Sequence, residues 1–415
     1  MRLMVYSHDA FGLGNIRRML AICEHLLYEI PELSILLLSG SPMLQGFRLP
    51  KGLDYIKLPC LNRGQTGEIA VKYLGMGIEE TIKLRSELIL SAAVNFQPDL
   101  FLVDKKPYGM KNELTDTLNY LHSQLSKTKL VLLLRDILDC PEKTIAEWQK
   151  NSYYEAVNKF YHQVLIVGAP EVFDAAKEYK FPLDLTNKVR YCGYVRRQPG
   201  LKSKTLIREE LHVLPEERLV LVTPGGGEDG YELVDSYLSS LRLLPEPHYI
   251  KSLIICGPEM PIPQKKLVYQ AAEVNSQIQV REFTDDLMSY IEAADVIISM
   301  AGYNTVCEIL SAEKAAVIIP RCQPSKEQLI RSEKMASLGL FKVINPENIE
   351  PKTLMQALLE QLEKPQHQLN FHIDMNALPR IAENVFMLLS QTFCERLCSD
   401  ICQKSSLKSP EPLFQ

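Results

Sequence analysis

The feature of this sequence that most constrains its fold is a repeated alternation of short apolar runs with longer amphipathic stretches. Each run is continuously apolar, which is typical of strands buried on both faces in parallel sheets that helices cover. Thirteen runs occur, and they are LMVYS, LSILLLS, LDYIKL, DLFLVD, KLVLLLR, QVLIVG, KVRYCG, LVLVTP, SLIICG, IQVREF, VIISM, AAVIIP and FKVI. Because thirteen strands exceed one ordinary sheet, the pattern predicts an α/β protein with more than one parallel sheet.

A break in the alternation predicts two domains. Proline, glycine and charged residues interrupt it over residues 193–211, and a strand, glycine loop and helix then follow in the same order as at the start of the chain. A chain of 415 residues also suits two domains of about 150 to 200 residues each. We expect two Rossmann-like domains with loops facing a common cleft. The expected segments are a first domain at 1–197, a second at 198–375, a final helix at 376–391 and a tail at 392–415.

Composition excludes several classes of function. The net charge is −5 and the basic residues are spread along the chain, so nucleic acid is not an expected partner. The ten cysteines include no CxxC pair and no zinc-like spacing with histidine, so we expect no structural metal site. Cys23, Cys256 and Cys307 lie in apolar runs and are interpreted as buried thiols in a reducing compartment. With no signal peptide and no membrane-length apolar run, we expect a cytoplasmic protein with at most peripheral membrane contact.

The tail carries three cysteines at four-residue spacing, Cys394, Cys398 and Cys402. In a helix this spacing places the thiols on one face. Metal binding or acylation there is one interpretation, and a plain helical extension is the other.

The stretch VYSHDAFGLGNIRR at residues 5–18 predicts a ligand-facing loop between a strand and a helix. Gly12 and Gly14 allow a tight turn and a close approach of the backbone to a ligand, and the first turn of the helix attracts anions. His8 and Asp9 follow the strand at its carboxyl end, where α/β folds bind ligands. For His8 a hydrogen-bonded structural group is the alternative. The dinucleotide-binding fingerprint is absent, because no third glycine follows.

Two arginines in the first turn of that helix also indicate a binding role. Arg17 and Arg18 lie where the helix dipole opposes a positive charge by about 0.3 to 1 kcal/mol. A ligand contact would offset this cost, and a solvated helix face is the alternative.

The second glycine loop, TPGGGEDG, favours a phosphate contact. Gly225, Gly226 and Gly227 lie between a buried strand and a helix, where bare backbone can approach a phosphate or diphosphate. No Lys-Ser or Lys-Thr pair follows, so the loop is not of the P-loop type.

The segment ADVIISMAGYNTVCEILSAEKAAVIIPRCQPSKEQLIRSEKMASLGL is the most informative one. It resembles the donor-binding module of glycosyltransferase family 28, in which S-x-x-G-x-x-T-x-x-E is followed by a strand ending in proline and then by a glutamine. The matching positions are Ser299, Gly302, Thr305, Glu308, Pro320 and Gln328. A wider likeness, to predicted bacterial glycosyltransferases related to that family, covers residues 1 to about 340. It is carried by the H-D-x-x-G-x-G loop, PDLFLVDKKPYG, LLLRDILD, RYCGYV, the triple glycine and SMAGYNTVCEIL.

The resemblance implies the GT-B fold, with two facing Rossmann-like domains and a final helix that crosses back to the first. The acceptor would bind mainly to the first domain and a nucleotide-diphosphate sugar to the second. Glu308 would accept hydrogen bonds from the ribose hydroxyls, the triple-glycine loop would meet the diphosphate, and Gln328 would meet the sugar hydroxyls. A helix-surface charge and a helix-start residue are the alternatives for the two side chains. The acceptor-side wall would include Asp9, Gly12, Gly14, Asn15 and Arg17.

The implied activity is transfer of a hexose or N-acetylhexosamine, in the simplest case from a UDP-sugar, to an unknown acceptor hydroxyl. No Asp-x-Asp motif occurs in the sequence, so we expect no required divalent ion and no cofactor. Related families keep a candidate base at the position of Asn15, and asparagine cannot take a proton at neutral pH. This asparagine keeps a non-catalytic nucleotide-sugar-binding protein open as an alternative, and a GT-B epimerase, which would need additional acid and base residues, is the other.

The catalytic base is sought among side chains at predicted strand ends. His8 is the first candidate and Asp104 the second, with Lys105 and Lys106 expected to keep that carboxylate ionised. Asp9 is a further candidate. So is Asp136, for which an ordinary ion pair with the adjacent Arg135 is the alternative.

Overall fold

The computed structural model describes residues 1–8, 13–63, 68–244, 249–363 and 372–406, and for residues 13, 63 and 392–406 it describes the backbone alone. The predicted loop residues Asp9 and Gly12 lie outside the described residues. The side chains of Cys394, Cys398 and Cys402 also lie outside them.

The first half of the chain forms a seven-stranded sheet covered by helices, and it also contains a separate two-stranded hairpin. Its elements in chain order are β1 (Arg2–Ser7), α1 (Leu13–Glu29), β2 (Ser34–Ser39), β3 (Leu53–Lys57), β4 (Leu61–Arg63), β5 (Ile69–Val71), α2 (Ile78–Phe96), β6 (Leu100–Asp104), α3 (Thr115–Gln124), β7 (Lys129–Arg135), α4 (Pro141–Lys150), α5 (Tyr153–Phe160), β8 (Gln163–Val167), α6 (Ala175–Glu178), α7 (Leu183–Thr186) and β9 (Val189–Tyr191). The strand order is β3-β2-β1-β6-β7-β8-β9, and all pairs in it are parallel.

The second half forms a six-stranded parallel sheet. Its elements are α8 (Lys204–Glu210), β10 (Arg218–Thr223), α9 (Tyr231–Leu241), β11 (Ile250–Ile255), α10 (Ile262–Glu273), β12 (Ile278–Arg281), α11 (Leu287–Ala293), β13 (Val296–Ser299), α12 (Tyr303–Ser311), β14 (Ala315–Ile318), α13 (Glu327–Ser337), β15 (Lys342–Val343), α14 (Pro351–Glu363) and α15 (Ala377–Ser406). The order β12-β11-β10-β13-β14-β15 is that of a doubly wound sheet, in which ligands bind at the carboxyl ends of the strands near the point where the order reverses.

All thirteen apolar runs form strands of the two parallel sheets, which confirms the predicted α/β class. The antiparallel hairpin of β4 and β5 was not predicted, because its strands have only three residues each. The predicted thiols Cys23, Cys256 and Cys307 are buried and form no disulfide.

Two chain crossings join the halves, and they lie side by side. After β9 the Tyr194 N–H donates to the Asp374 carbonyl at 2.7 Å, and Val195 pairs with Asn376 in an antiparallel bridge. The chain returns there into α15, which packs on α1 and against β6 and β7. Its buried side chains, Ile381 and Val385 among them, join the core of the first sheet. The last helix thus crosses back as predicted, and it continues beyond the predicted end at residue 391 as a helical extension.

Among the described residues, none of the helices combines the length and the apolar character that a bilayer span requires.

Candidate active site

Several polar contacts join the carboxyl ends of the two parallel sheets. The Asn304 side chain at the start of α12 donates to the Gly14 carbonyl in α1 at 3.1 Å. Arg135, the last residue of β7, pairs with Glu327 of α13 at 2.9 Å. Asp136 pairs with Arg331 of α13 at 2.6 Å. The strand ends that carry the predicted site residues therefore face one another.

Asn15 has a structural role in the opening loop. Its side-chain amide donates to the His8 carbonyl at 3.0 Å. The space beside Gly14 is narrow, since a Cβ there would lie 3.3 Å from the Asn304 amide nitrogen. A side chain at position 14 would press on the contact between the two halves of the chain.

His8 is buried and chemically able to accept a proton. Its side chain is 6% exposed, and its Nδ1 atom has no hydrogen-bond partner among the described residues. Burial, reinforced by four cations, holds the pKa of the imidazole well below 6.5, and those cations are Lys105, Lys106, Arg85 and Arg135. The ring is thus neutral at neutral pH, but the surrounding positive charge opposes the protonated state that a general base must reach.

Asp104 is engaged in an ion pair that the sequence did not indicate. Its Oδ1 atom lies 2.8 Å from Nη2 of Arg18, both side chains are buried, and the His8 N–H approaches Oδ2 at 3.4 Å. Lys105 and Lys106 were expected to keep this carboxylate ionised, and the cation that pairs with it is Arg18 of α1. A buried, paired carboxylate is less suited than His8 to take a proton, so this geometry favours a structural role for Asp104. Since α1 begins at Leu13, Arg18 lies in the second turn of that helix rather than in the first, and Asp104 is its partner.

Asp136 is not free either, and its ion-pair partner is Arg331 rather than the adjacent Arg135, which was the alternative considered from the sequence. Its carboxylate accepts from Nε of Arg331 at 2.6 Å and from Nη2 at 2.8 Å, and the Tyr194 hydroxyl donates to it at 2.9 Å. Burial alone would raise the pKa of Asp136, but the Arg331 guanidinium lowers it below its ordinary value. This carboxylate stays charged and occupied, which removes it as a candidate base.

The triple-glycine loop has one open position and two that neighbouring atoms restrict. A Cβ on Gly227 would lie 2.2 Å from the Cys256 carbonyl oxygen, and one on Gly226 would lie 2.8 Å from the Glu259 carboxylate. Gly225 faces open space, with a φ of +84° that favours glycine. Packing against the loop after β11 thus explains part of the glycine content, and Gly225 is the position where a ligand has room.

The start of α12 is also shaped by a strained turn. Ala301 is buried with a φ of +59°, and its carbonyl accepts from Nη1 of Arg331 at 3.1 Å. Gly302 follows with open space around its α-carbon. Ser299 donates to the Thr223 carbonyl at 2.7 Å, which ties β13 to β10 below this turn. Arg331 thus fixes both the turn and the end of β7.

Glu308 is the most unusual acidic side chain at this edge. It is 3% exposed in the middle of α12, and no group among the described residues donates a hydrogen bond to its carboxylate. Burial raises the pKa of the carboxyl above its ordinary 4.5, although Arg197 and Arg17 favour the charged form. This burial excludes a simple helix-surface charge, and it leaves the carboxylate oxygens free to accept hydrogen bonds from a ligand. Thr305, one turn earlier in α12, is buried as well.

Only the oxygen of the Gln328 side-chain amide has a hydrogen-bond partner among the described residues. Its side-chain oxygen accepts from the Arg321 N–H at 3.0 Å, and no partner for its amide nitrogen is found among the described residues. The side chain is therefore held in place with two N–H donors available.

Three residues of this region were not predicted as site residues: Arg197, Asn304 and Arg331. The Arg197 guanidinium donates to the Asn304 side chain at 2.6 Å, and its backbone N–H donates to the Ser311 hydroxyl at 2.9 Å. The only sequence signal was the position of Arg197 in the charged break between the two halves. For Arg331, whose partner is 195 residues away, the sequence held no signal.

Comparison with known proteins connects the second half of the chain to a family. Residues 219–385 match the family model described as the glycosyltransferase family 28 C-terminal domain. A Haemophilus influenzae protein named UDP-N-acetylglucosamine--N-acetylmuramyl-(pentapeptide) pyrophosphoryl-undecaprenol N-acetylglucosamine transferase is 22% identical over 194 residues. That match covers 45% of this chain and 54% of the relative, so the chain spans about half the length of this relative.

Solved structures match over nearly the whole chain. MurG of Acinetobacter baumannii has a TM-score of 0.60 at 15% identity, covering 93% of this chain and 99% of that one. The UDP-GlcNAc 2-epimerase of Neisseria meningitidis, solved with UDP-GlcNAc, has a TM-score of 0.58 at 12% identity and covers 93% of this chain and 100% of that one. At such identities these likenesses concern the fold alone. The chain therefore has the GT-B fold, and it is related to glycosyltransferase family 28 through residues 219–385.

Proposed function

We propose that this chain is a glycosyltransferase that moves a hexose or N-acetylhexosamine from a nucleotide-diphosphate sugar, in the simplest case a UDP-sugar, to an acceptor hydroxyl. The observation that carries the proposal is Glu308, a buried carboxylate without a hydrogen-bond donor among the described residues. It lies inside the segment that matches the family model, and it is close enough to Arg197 and to Arg17 of α1 for both cations to favour its charged form. A ribose would supply the two hydroxyl donors that this carboxylate lacks.

The other donor-side roles follow from the geometry around Glu308. The diphosphate would lie against Gly225, where the backbone has room, and near the start of α9, whose free N–H groups favour an anion. The amide nitrogen of Gln328 would donate to the sugar hydroxyls. Arg17 and Arg197 would offset part of the negative charge of the bound donor.

On the acceptor side, His8 is the proposed general base. Its neutral, buried imidazole has an Nδ1 atom without a partner among the described residues, whereas Asp104 and Asp136 are held by arginines. Asn15 would position His8 through the hydrogen bond to its carbonyl. We propose that charge on the leaving diphosphate is stabilised by backbone amides and helix N-termini, without a required divalent ion.

Relatives support the proposal at a coarse level. The Haemophilus influenzae relative is named as an N-acetylglucosamine transferase, and its donor class is the one proposed for this chain. Transferases and a 2-epimerase share the fold, so reaction products must separate the two activities. Cytoplasmic location and at most peripheral membrane contact belong to the same proposal.

The test is a product analysis of purified protein incubated with UDP-sugars and a panel of hydroxyl acceptors. Release of UDP together with a glycosylated product, or slow hydrolysis without acceptor, is the expected result. A changed sugar still attached to UDP would identify an epimerase. Binding of the UDP-sugar without any turnover across the panel would identify a binding protein.

A further inference from the structure

A cluster of nitrogen-bearing side chains lies at one edge of the first sheet. His8 comes directly after β1 and Lys105 directly after β6, and these two strands pair in parallel with Tyr6 opposite Val103. Arg135 ends β7, the next strand, and Arg18 reaches the same edge from α1 through its ion pair with Asp104. We name His8, Arg18, Lys105 and Arg135 the strand-end cluster.

Three nitrogen atoms in the strand-end cluster are buried without a hydrogen-bond partner among the described residues. They are Nδ1 of His8, Nε of Arg18 and Nε of Arg135. Buried polar atoms in proteins are nearly always satisfied, so three unsatisfied ones at a single edge indicate a site for an external group. Donors on two arginines indicate that this group accepts hydrogen bonds.

Among the described residues, the strand-end cluster holds one positive charge more than the carboxylates paired with it neutralise. Four other cations of this region form ion pairs, which are Arg18 with Asp104, Arg85 with Glu113, Lys106 with Glu147 and Arg135 with Glu327. The ammonium group of Lys105 has no such partner in the described part of the chain. Lys105 is partly buried and has a φ of +71°, a conformation that non-glycine residues seldom adopt. Burial, together with the neighbouring Arg135, lowers the pKa of Lys105 to about 8, so it is charged at neutral pH.

We propose that the strand-end cluster binds an anionic group, a carboxylate or a phosphate, carried by the acceptor. The inference rests on the proposed function and names the chemical class of its second substrate. Lys105 supplies the unmatched charge, the two arginine Nε atoms supply charge-assisted hydrogen bonds, and His8 lies next to Lys105. An anion held here would place a hydroxyl of the same molecule close to the proposed base.

The cluster belongs to the acceptor side because of where its charges lie. All four side chains belong to the first half of the chain, whereas Gly225, Glu308 and Gln328 belong to the second. Where the cluster meets the second half of the chain, Arg135 pairs with Glu327 of α13 and the Arg18 guanidinium lies over the Tyr303 ring of α12.

The test measures anion binding directly. Inorganic phosphate and acetate are titrated separately by calorimetry at low ionic strength into the wild-type chain, Lys105→Gln and Lys180→Gln. Lys180 is the matched control, since it is an exposed lysine of the same half with a φ of +52°. We expect at least a tenfold loss of affinity in Lys105→Gln and no change in Lys180→Gln, with circular dichroism checking that each variant is folded. Phosphate and acetate distinguish the two anion chemistries.

Other results would overturn the assignment. No binding of either ion by the wild-type chain, or equal affinity in the two variants, would exclude an anion site at Lys105. Displacement of phosphate by UDP would assign the cluster to the donor, whereas simultaneous binding supports the acceptor side. A chain that binds phosphate through Lys105 but does not bind UDP-sugars would retain the anion site and reject the transferase proposal.

Discussion

The ion pair between Asp136 and Arg331 allows a sharp prediction about stability. The two side chains are 1% and 0% exposed, they share two hydrogen bonds, and they join the end of β7 to α13 of the other sheet. Asp136→Asn would leave the Arg331 guanidinium buried without its counter-charge. Removing one partner of a buried pair typically costs about 3–5 kcal/mol. We expect a loss of that size in the free energy of unfolding.

Urea unfolding offers a suitable assay, because Trp148 is the only tryptophan and lies buried in the first half of the chain. Glu360→Gln is the control, since it removes a carboxylate from an exposed ion pair with Lys342, where a loss of at most about 1 kcal/mol is expected. The double variant Asp136→Leu/Arg331→Met should recover much of the loss, because no charge is then buried alone. If Asp136→Asn costs no more than Glu360→Gln, the reasoning is refuted.

The pH dependence of this effect has a definite sign. The pKa of Asp136 is lower in the folded chain than its ordinary value of about 4. The pair therefore contributes its full stability above that value and loses it as the pH falls through the folded pKa. The difference between wild type and Asp136→Asn should be constant near neutral pH and should shrink only in acid.

Three further predictions concern the proposed site. His8→Asn should lower kcat about 100-fold with the donor KM nearly unchanged. The acid limb of the wild-type pH profile of kcat/KM should lie below pH 6.5, because burial and nearby cations lower the pKa of His8. An acid limb at or above pH 6.5 would contradict this assignment. Gly225→Ala should lower the free energy of unfolding in urea by about 1–3 kcal/mol, through backbone strain alone. Gly227→Ala should lower it further, because its Cβ would also lie 2.2 Å from a carbonyl oxygen. Equal losses in the two variants would contradict the packing argument. Excess chelator should leave transfer intact, and activity lost to chelator and restored by magnesium or manganese would show that a metal is required.

The fold was largely predictable from the sequence, because buried parallel strands leave a local signal. Each of the thirteen apolar runs forms a strand, and the break near residue 193 coincides with the passage from the first sheet to the second. The hairpin of β4 and β5 was not predicted, because strands of three residues are too short to show a periodic pattern of apolar residues. Helix α15 continues past residue 391, where the sequence gives no capping signal.

The candidate site was predictable only where its residues follow one another in the chain. The family pattern around Glu308 is local, and the structure brings its residues together at the carboxyl edge of the second sheet. The partners of Asp104 and Asp136 are 86 and 195 residues away in sequence, so no local pattern could reveal them. Both aspartates were interpreted from their sequence neighbours, and in both cases an arginine from a distant helix holds the carboxylate instead.

Calorimetric titration of UDP into the wild-type chain, Glu308→Ala and Glu313→Ala tests the central claim most directly. Glu313 is the matched control, because it is an exposed glutamate just after the same helix. We predict that wild type and Glu313→Ala bind UDP equally, and that Glu308→Ala, shown to be folded by circular dichroism, binds at least tenfold more weakly, which is about 1.4 kcal/mol. Equal affinity in all three proteins, or no binding of UDP by the wild-type chain, would contradict the assignment of a nucleotide-sugar site to α12.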